Sequence, residues 1–273
     1  ENVVQCVVEA TNTYHYALLE AGQLAHVACR VYNPIITKSG IKGTIRGKKT
    51  DRTDALVIAR MGLRGEGRIH VPEQYMLTKH YARSCQKLST LHSSFQQYKS
   101  HLTELLGGEL NPEAVELLQG IQLAIHEAKA QLYKDLAESA KGPVFTRLKT
   151  IPGIGPYIAS SLIGEIQDIT RFDSAKALIA YAGLDPKIRQ SGKALNSTGR
   201  LTKRGSSHLR RSLFIGANIA RRYDLQFQAL YDKKRAEGKT YKEANCVVAR
   251  KLLKVIRSVW LNDKDYKLPE DLA

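Results

Sequence analysis

The chain has 273 residues, with 42 Lys and Arg against 26 Asp and Glu, a formal net charge of +16 at pH 7, and 43% hydrophobic residues. That length holds one large or two modest domains with real cores, and so basic a balance favours a nucleic-acid partner over a small molecule. No apolar run approaches the ~20 residues of a spanning helix, no lone amphipathic basic helix marks a membrane surface, and Cys6, Cys29, Cys85 and Cys246 lie too far apart for a zinc site or a disulfide framework, which fits a reducing cytoplasm.

Glu1-Asn2 passes directly into Val3-Val4-Gln5-Cys6-Val7-Val8, without Met or a polar lead-in, which reads as a start inside a fold. The β-branched apolar run over 3–9 predicts a buried strand. Helical spacing follows from Tyr14 to Ala21 and stops at Gly22, and a second strand is expected over 26–32, closed by Asn33-Pro34. A basic, glycine-dotted loop comes next. Thr50 then caps a helix running to about Met61, with one more strand over 68–71. Strands alternating with helices indicate an α/β layer over residues 1–72.

From Glu73 the period changes. Leu77, Tyr81, Ser84, Leu88, Leu91, Phe95, Tyr98, Leu102 and Leu105 recur at alternating steps of four and three, a coiled-coil seam. Gly107-Gly108 and Asn111-Pro112 interrupt it. A second seam follows at Leu118, Ile121, Ile125, Ala128, Leu132 and Leu136. Residues 73–142 are therefore expected to form an antiparallel hairpin that folds on itself or pairs with another subunit. Residues 143–273 read as mostly helical and strongly basic, with a last core helix over 242–260.

Three features in this order carry chemistry. Glu9 ends the first strand, where open α/β sheets place their sites, and an unpaired carboxylate there is expensive to bury. Asp51 and Asp54 stand three apart, which on a helix sets their Cβ atoms about 5–6 Å apart on one face. A cation between them suits that spacing, and clustered carboxylates suit Mg²⁺. A macrodipole contact for Asp51 and an ion pair for Asp54 account for it without any metal. Third, Ile151-Pro152-Gly153-Ile154-Gly155-Pro156 is a helix-hairpin-helix type turn, whose Gly153 and Gly155 would let backbone N–H groups approach a phosphate.

The strongest electrostatic signal runs from Lys187 to Tyr223, where ten cations (Lys187, Arg189, Lys193, Arg200, Lys203, Arg204, Arg210, Arg211, Arg221 and Arg222) occur without one Asp or Glu. Together with Lys48 and Lys49 they form a surface for a polyanion, because each neutralised phosphate releases condensed counterions. Within the run lies Gln190-Ser191-Gly192-Lys193. By residue type alone Ser191 is a phosphate hydrogen-bonder or a solvent-facing hydroxyl, and no neighbouring His or Asp marks it as a nucleophile.

The stretches VVEATNTYHYALLEAGQ, VYNP, KKTDRTDALVIAR, IPGIGPYIASSLIGEI, RFDSAKALIAYAGLDP, QSGK and TKRGSSHLRRSL, in that order from Val7 to about Leu253, resemble the DEDD-type insertion-sequence transposases, which include the pilin-gene-inverting DNA recombinases. The resemblance implies an N-terminal RuvC-like (RNase H-like) domain whose four carboxylates hold Mg²⁺. It also implies a C-terminal transposase domain whose serine links covalently to DNA. Glu9, Asp51 and Asp54 match three of those carboxylates and Ser191 matches the serine. The family's first Asp, about fifty residues upstream of its Glu, has no counterpart, and Asn12 stands where Gly is common. The implied metal site is three-quarters complete, the pattern of a recombinase that is truncated or incompletely represented, or of a decayed copy, whose activity would depend on the first Asp. Further implications are a composite active site, a homo-oligomer (dimer or tetramer) joined by the coiled coil, and a noncoding guide RNA beside the DNA. Two readings compete: a RuvC-like metal-dependent nuclease that uses Ser191 only for binding, and a non-catalytic nucleic-acid-binding remnant.

Overall fold

The apolar run near the start of the chain forms β1 (Gln5–Glu9), which pairs in parallel with β2 (Ala28–Tyr32) in the register Val7↔Arg30 and Glu9↔Tyr32. A short β3 (Arg68–Ile69) joins β2 antiparallel and completes a three-stranded sheet in the order β1-β2-β3. The computed structural model describes residues 5–10, 14–34, 36–37, 50–65, 68–69, 74–106, 111–186 and 201–267. The chain divides into two compact units, 1–72 and 73–273.

In the first unit, α1 (Tyr14–Leu24) connects the parallel strands, as a parallel pair requires a crossover. The helix continues through Gly22 rather than stopping there, because the buried face that carries His15 and Leu19 extends to Gly22 against β2. Thr50 caps α2 (Asp51–Leu63): its hydroxyl accepts from the Thr53 N–H, and the Thr53 hydroxyl accepts from the Thr50 N–H. This is a capping box with Thr in place of the usual Glu. Helix α2 packs on β1 so closely that a Cβ on Gly62 would lie 2.7 Å from Val7 Cγ1. The Gln5 amide donates to the Gly62 carbonyl at 3.0 Å and fixes the same approach.

The second unit begins with the hairpin. Helices α3 (Met76–Leu106) and α4 (Pro112–Ser139) pack on each other within the chain. Thr78 donates to the Ser139 carbonyl at 2.9 Å, Ser89 bonds Tyr133 at 3.2 Å, and Lys99 donates to Gln122 at 3.0 Å, so the two run antiparallel. Only half of the α3 seam is covered. Tyr81, Leu88, Phe95 and Leu102 are half-buried, whereas Leu91 (53%), Tyr98 (56%) and Leu105 (67%) stay exposed. A two-helix hairpin covers one column of a heptad seam; the other column needs further helices.

The base of the hairpin is bound into the helical region that follows. Every residue of α6 (Pro156–Ile166) from Ile158 to Ile166 is buried, as suits a helix apolar on all sides. At Gly164 the backbone of Lys79 approaches so closely that a Cβ would lie 2.7 Å from the Lys79 nitrogen. Around α6 stand α5 (Pro143–Leu148), α7 (Ala175–Tyr181), α8 (Ser207–Tyr223), α9 (Leu225–Ala236) and α10 (Tyr241–Asn262). Their shared core includes Leu148, Leu162, Leu178, Leu213, Leu252 and Ile256, all fully buried. Asp224 ends α8 and caps α9 with bonds from Gln226 N and Phe227 N, and the Tyr266 hydroxyl donates to its other oxygen at 2.6 Å. Among the described residues no helix is long and apolar enough to cross a membrane, and the four cysteines are free.

Candidate functional site

In the first unit, β1 carries Glu9 at its carboxyl end, and α2 carries Asp51 and Asp54 in its first turn. Buried Thr37 donates its hydroxyl to Glu9 Oε2. Asp51 is exposed and Asp54 half-buried. All three are oxygen donors, which fits a hard divalent cation. Among the described residues, however, no group of three His, Cys, Asp or Glu side chains converges closely enough to hold a metal ion. The donor chemistry fits and the convergence is lacking. Lys48 and Lys49 lie outside the described residues.

In the second unit the acid-free run divides. Lys187, Arg189, Ser191, Lys193 and Arg200 lie outside the described residues. The residues flanking them, Pro186 and Leu201, form an antiparallel bridge, reinforced by the Thr202 hydroxyl donating to Asp185 at 2.6 Å. Lys203 and Arg204 follow, exposed, and lead into α8, where Ser206 caps the helix by accepting from Leu209 N. Arg210 is half-buried and donates to the Ala182 carbonyl at 3.2 Å; Arg211 is exposed and donates to Thr90 Oγ1 at 3.2 Å.

Beside this bridge a cavity of about 770 Å³ opens between α8 and α10. Lys203, Arg210 and Arg211 meet Lys239, Lys242 and Arg250 around it. Among the described residues the lining has one carboxylate, Glu243, whose Oε2 accepts from Thr240 N at 2.9 Å and Thr240 Oγ1 at 2.8 Å in the capping box of α10. Those bonds to Thr240 hold the Glu243 carboxyl below its ordinary range. None of the six cations forms an ion pair among the described residues. The sequence assigned Lys203, Arg210 and Arg211 to a phosphate-facing surface as an expectation, but gave no sign that Lys239, Lys242 and Arg250, at least 28 residues further along (239 − 211), would join them.

The glycine turn sits against the same helix. Gly153 has φ +85°, and a Cβ there would lie 2.5 Å from the Gly216 carbonyl and 2.6 Å from the Ala220 nitrogen of α8. Its glycine is required by packing. Gly155 precedes α6 with φ −79° and open space around it.

A buried polar cluster at the start of α8 was not legible in the sequence. Glu165 accepts from Arg83 Nε at 2.6 Å and Nη2 at 3.2 Å, and from Ser206 Oγ at 2.7 Å. Burial alone would raise the Glu165 carboxyl, but the Arg83 hydrogen bonds and charge, with the Ser206 hydroxyl, hold it below its ordinary value. His208 faces Gln86 Oε1 at 2.6 Å, and burial lowers its ring below the usual histidine value despite the nearby Glu165.

Two family models match the chain. A DEDD-type IS110 model described as "Transposase" matches residues 1–106, and one described as "Transposase IS116/IS110/IS902 family" matches residues 145–232. Together they span more than two thirds of the chain. The chain belongs to the IS110 transposase family. Among its relatives, the pilin gene-inverting protein of Moraxella bovis is 28% identical over 269 residues, covering 94% of this chain and 80% of the relative. An insertion element IS110 protein of Streptomyces coelicolor is 31% identical over 137 residues, covering 49% of this chain and 33% of the relative. The transposase for element IS1111A of Coxiella burnetii is 35% identical over 77 residues, covering 28% of this chain and 21% of the relative.

Membership sorts the two candidate sites. The carboxylates of the first unit fall inside the DEDD-type match, which points to use of a divalent metal, and the α8 side of the basic cavity falls inside the second match while its α10 side lies beyond it. A DNA-modifying activity is the common expectation for such transposases and recombinases.

Proposed function

We propose that the protein is a DNA transposase or site-specific recombinase that cuts and rejoins strands through Ser191. The observation that carries this reading is the cationic cavity on α8 and α10. It is lined by the Pro186–Leu201 bridge that flanks the segment bearing Ser191, and six cations face it against one carboxylate among the described residues. In the proposed step the Ser191 oxygen attacks a backbone phosphorus, the phosphorus–oxygen bond to one deoxyribose breaks, and that leaving oxygen takes up the serine proton. A phosphoserine ester conserves the bond energy for rejoining. Lys203, Arg204, Arg210 and Arg211 stabilise the charge developing on phosphate. Gly155, open at the start of α6, is suited to phosphate contact.

Glu9, Asp51 and Asp54 supply the oxygen chemistry that a RuvC-like first unit would offer Mg²⁺, with Thr37 bonded to Glu9, although among the described residues the three do not converge on one ion. When bound, Mg²⁺ supplies neutralisation of phosphate charge. The exposed column Leu91, Tyr98 and Leu105 supports a homo-oligomer joined through the hairpin. The same cationic surface suits a noncoding guide RNA beside the DNA, in a reducing cytoplasm.

The test is incubation with duplex DNA and Mg²⁺, followed by denaturing electrophoresis. A protein–DNA adduct that withstands denaturation and disappears in Ser191→Ala is expected. Cut DNA with free ends and no attached protein would replace the serine reading with hydrolysis by a nuclease. Salt-sensitive binding without breakage, indifferent to Asp51→Asn and Asp54→Asn, would leave a nucleic-acid-binding protein alone.

A further inference from the structure

We infer that the cavity between α8 and α10 receives one unpaired nucleotide of the DNA substrate, its base on an apolar floor and its phosphates on the surrounding cations. This inference rests on the DNA reading above and specifies the form of DNA that the second unit holds.

The floor decides the form. Leu201, Phe214, Ile215 and Val247 line the cavity together with the cations. A paired duplex presents phosphates and base edges to a protein but no base face. Apolar and aromatic surface inside a cationic rim is the composition that holds single-stranded nucleic acid, with bases stacked on rings and phosphates tracked by Lys and Arg. The cavity volume of about 770 Å³ lies within the range of pockets that enclose a small organic ligand, the size class of a nucleotide.

The platform is held in place. The Phe214 ring meets Tyr241 edge to face, with centroids 6.3 Å apart and planes at 82°. Tyr241 is fixed in turn by its hydroxyl donating to Asn218 at 2.9 Å and by the Arg221 guanidinium over its ring. Among the described residues the non-cationic polar side chains of the lining are Ser207 and Glu243, few groups to read a ribose 2′-hydroxyl. That favours DNA over RNA.

Strand exchange gives such a site its use, because strands that are cut and re-paired pass through a state with unpaired bases. Holding one of them slows re-annealing to the old partner.

Three fluorescent DNA duplexes test the inference with the whole chain: one fully paired, one with a single bulged thymidine, and one with an abasic bulge. The thymidine bulge is expected to bind roughly 5- to 150-fold more tightly than the paired duplex, the range of one base–aromatic stack. The abasic bulge should lose that gain, and Phe214→Ala should erase the preference while leaving paired-duplex affinity unchanged. Because Phe214 is half-buried, a second readout needs no substitution. Cys246 lines the cavity, so the thymidine bulge should shield it from alkylation and the paired duplex should not. Labelling belongs in mildly alkaline buffer, since burial raises this thiol. Equal binding of all three duplexes, or no shielding of Cys246, overturns the inference and leaves the DNA reading intact. Tighter binding of a bulged RNA duplex overturns the choice of DNA. Failure to bind any duplex overturns both readings.

Discussion

Arg83 on α3 and Glu165 on α6, 82 residues apart in sequence, form a forked pair whose carboxylate is 1% exposed. Ser206, the residue that caps α8, donates to the same carboxylate. One buried charge therefore joins the hairpin, the central helix and the start of the helix that carries Arg210 and Arg211.

Arg83→Met is expected to cost about 3 kcal/mol, the low end of the range for breaking a buried pair, because Arg83 itself reaches solvent. Glu165→Gln removes the charge and keeps the shape, and should cost less. The pH dependence has a definite sign. Both Glu165 and His208 titrate below their ordinary values of 4.5 and 6.5, so each contributes stability at neutral pH that is lost on acidification. In Arg83→Met burial raises Glu165 instead, and protonation then stabilises. Urea unfolding from pH 7 downward should therefore show the gap between wild type and Arg83→Met closing below about pH 4.5. A constant gap would contradict the pairing.

Gly153→Ala should be strongly destabilising, by more than the ~1–3 kcal/mol of an unfavourable backbone conformation, because the added Cβ also meets α8. Gly155→Ala, two residues on, should be nearly neutral. Thermal melts of the two variants separate packing from loop chemistry. A similar loss at both positions would mean that the turn is strained throughout.

Cations of the cavity should govern the salt dependence of DNA binding. Lys242→Ala and Arg211→Ala are each expected to flatten the slope of log affinity against log salt by about 1, with weaker binding across unrelated sequences. Titrations at several salt concentrations give the slope directly. An unchanged slope would place the DNA elsewhere.

Replacing Leu91 and Leu105 with Glu should shift the protein to the mass of one chain in analytical ultracentrifugation, without loss of helix content. Both side chains are already exposed, so no core packing is removed. A wild-type chain that sediments alone would show that the uncovered column serves another partner.

Much of the local structure was legible in the residues. Strand β1, the Thr50 cap, the break between α3 and α4 and the core spacing of α10 follow from β-branching, capping and helical period, all of which act within a few residues. The ordered motifs announced the family, and the acid-free run carries the expectation of a polyanion. Other local signals stopped short: the heptad seam left open whether the hairpin folds on itself or pairs with another chain, and did not tell that within one chain the column through Leu88 and Phe95 would be the covered one.

Tertiary packing alone decided the rest. Lys239, Lys242 and Arg250 join Lys203, Arg210 and Arg211 only because α10 crosses α8, and Phe214 becomes a floor only because Tyr241 stands beside it. The pair of Arg83 with Glu165 exists because Gly164 lets α6 press against the α3 backbone. Charge and period are properties of single residues and short segments and can be read along the chain. A cavity belongs to the angle and distance between helices, which non-local packing sets.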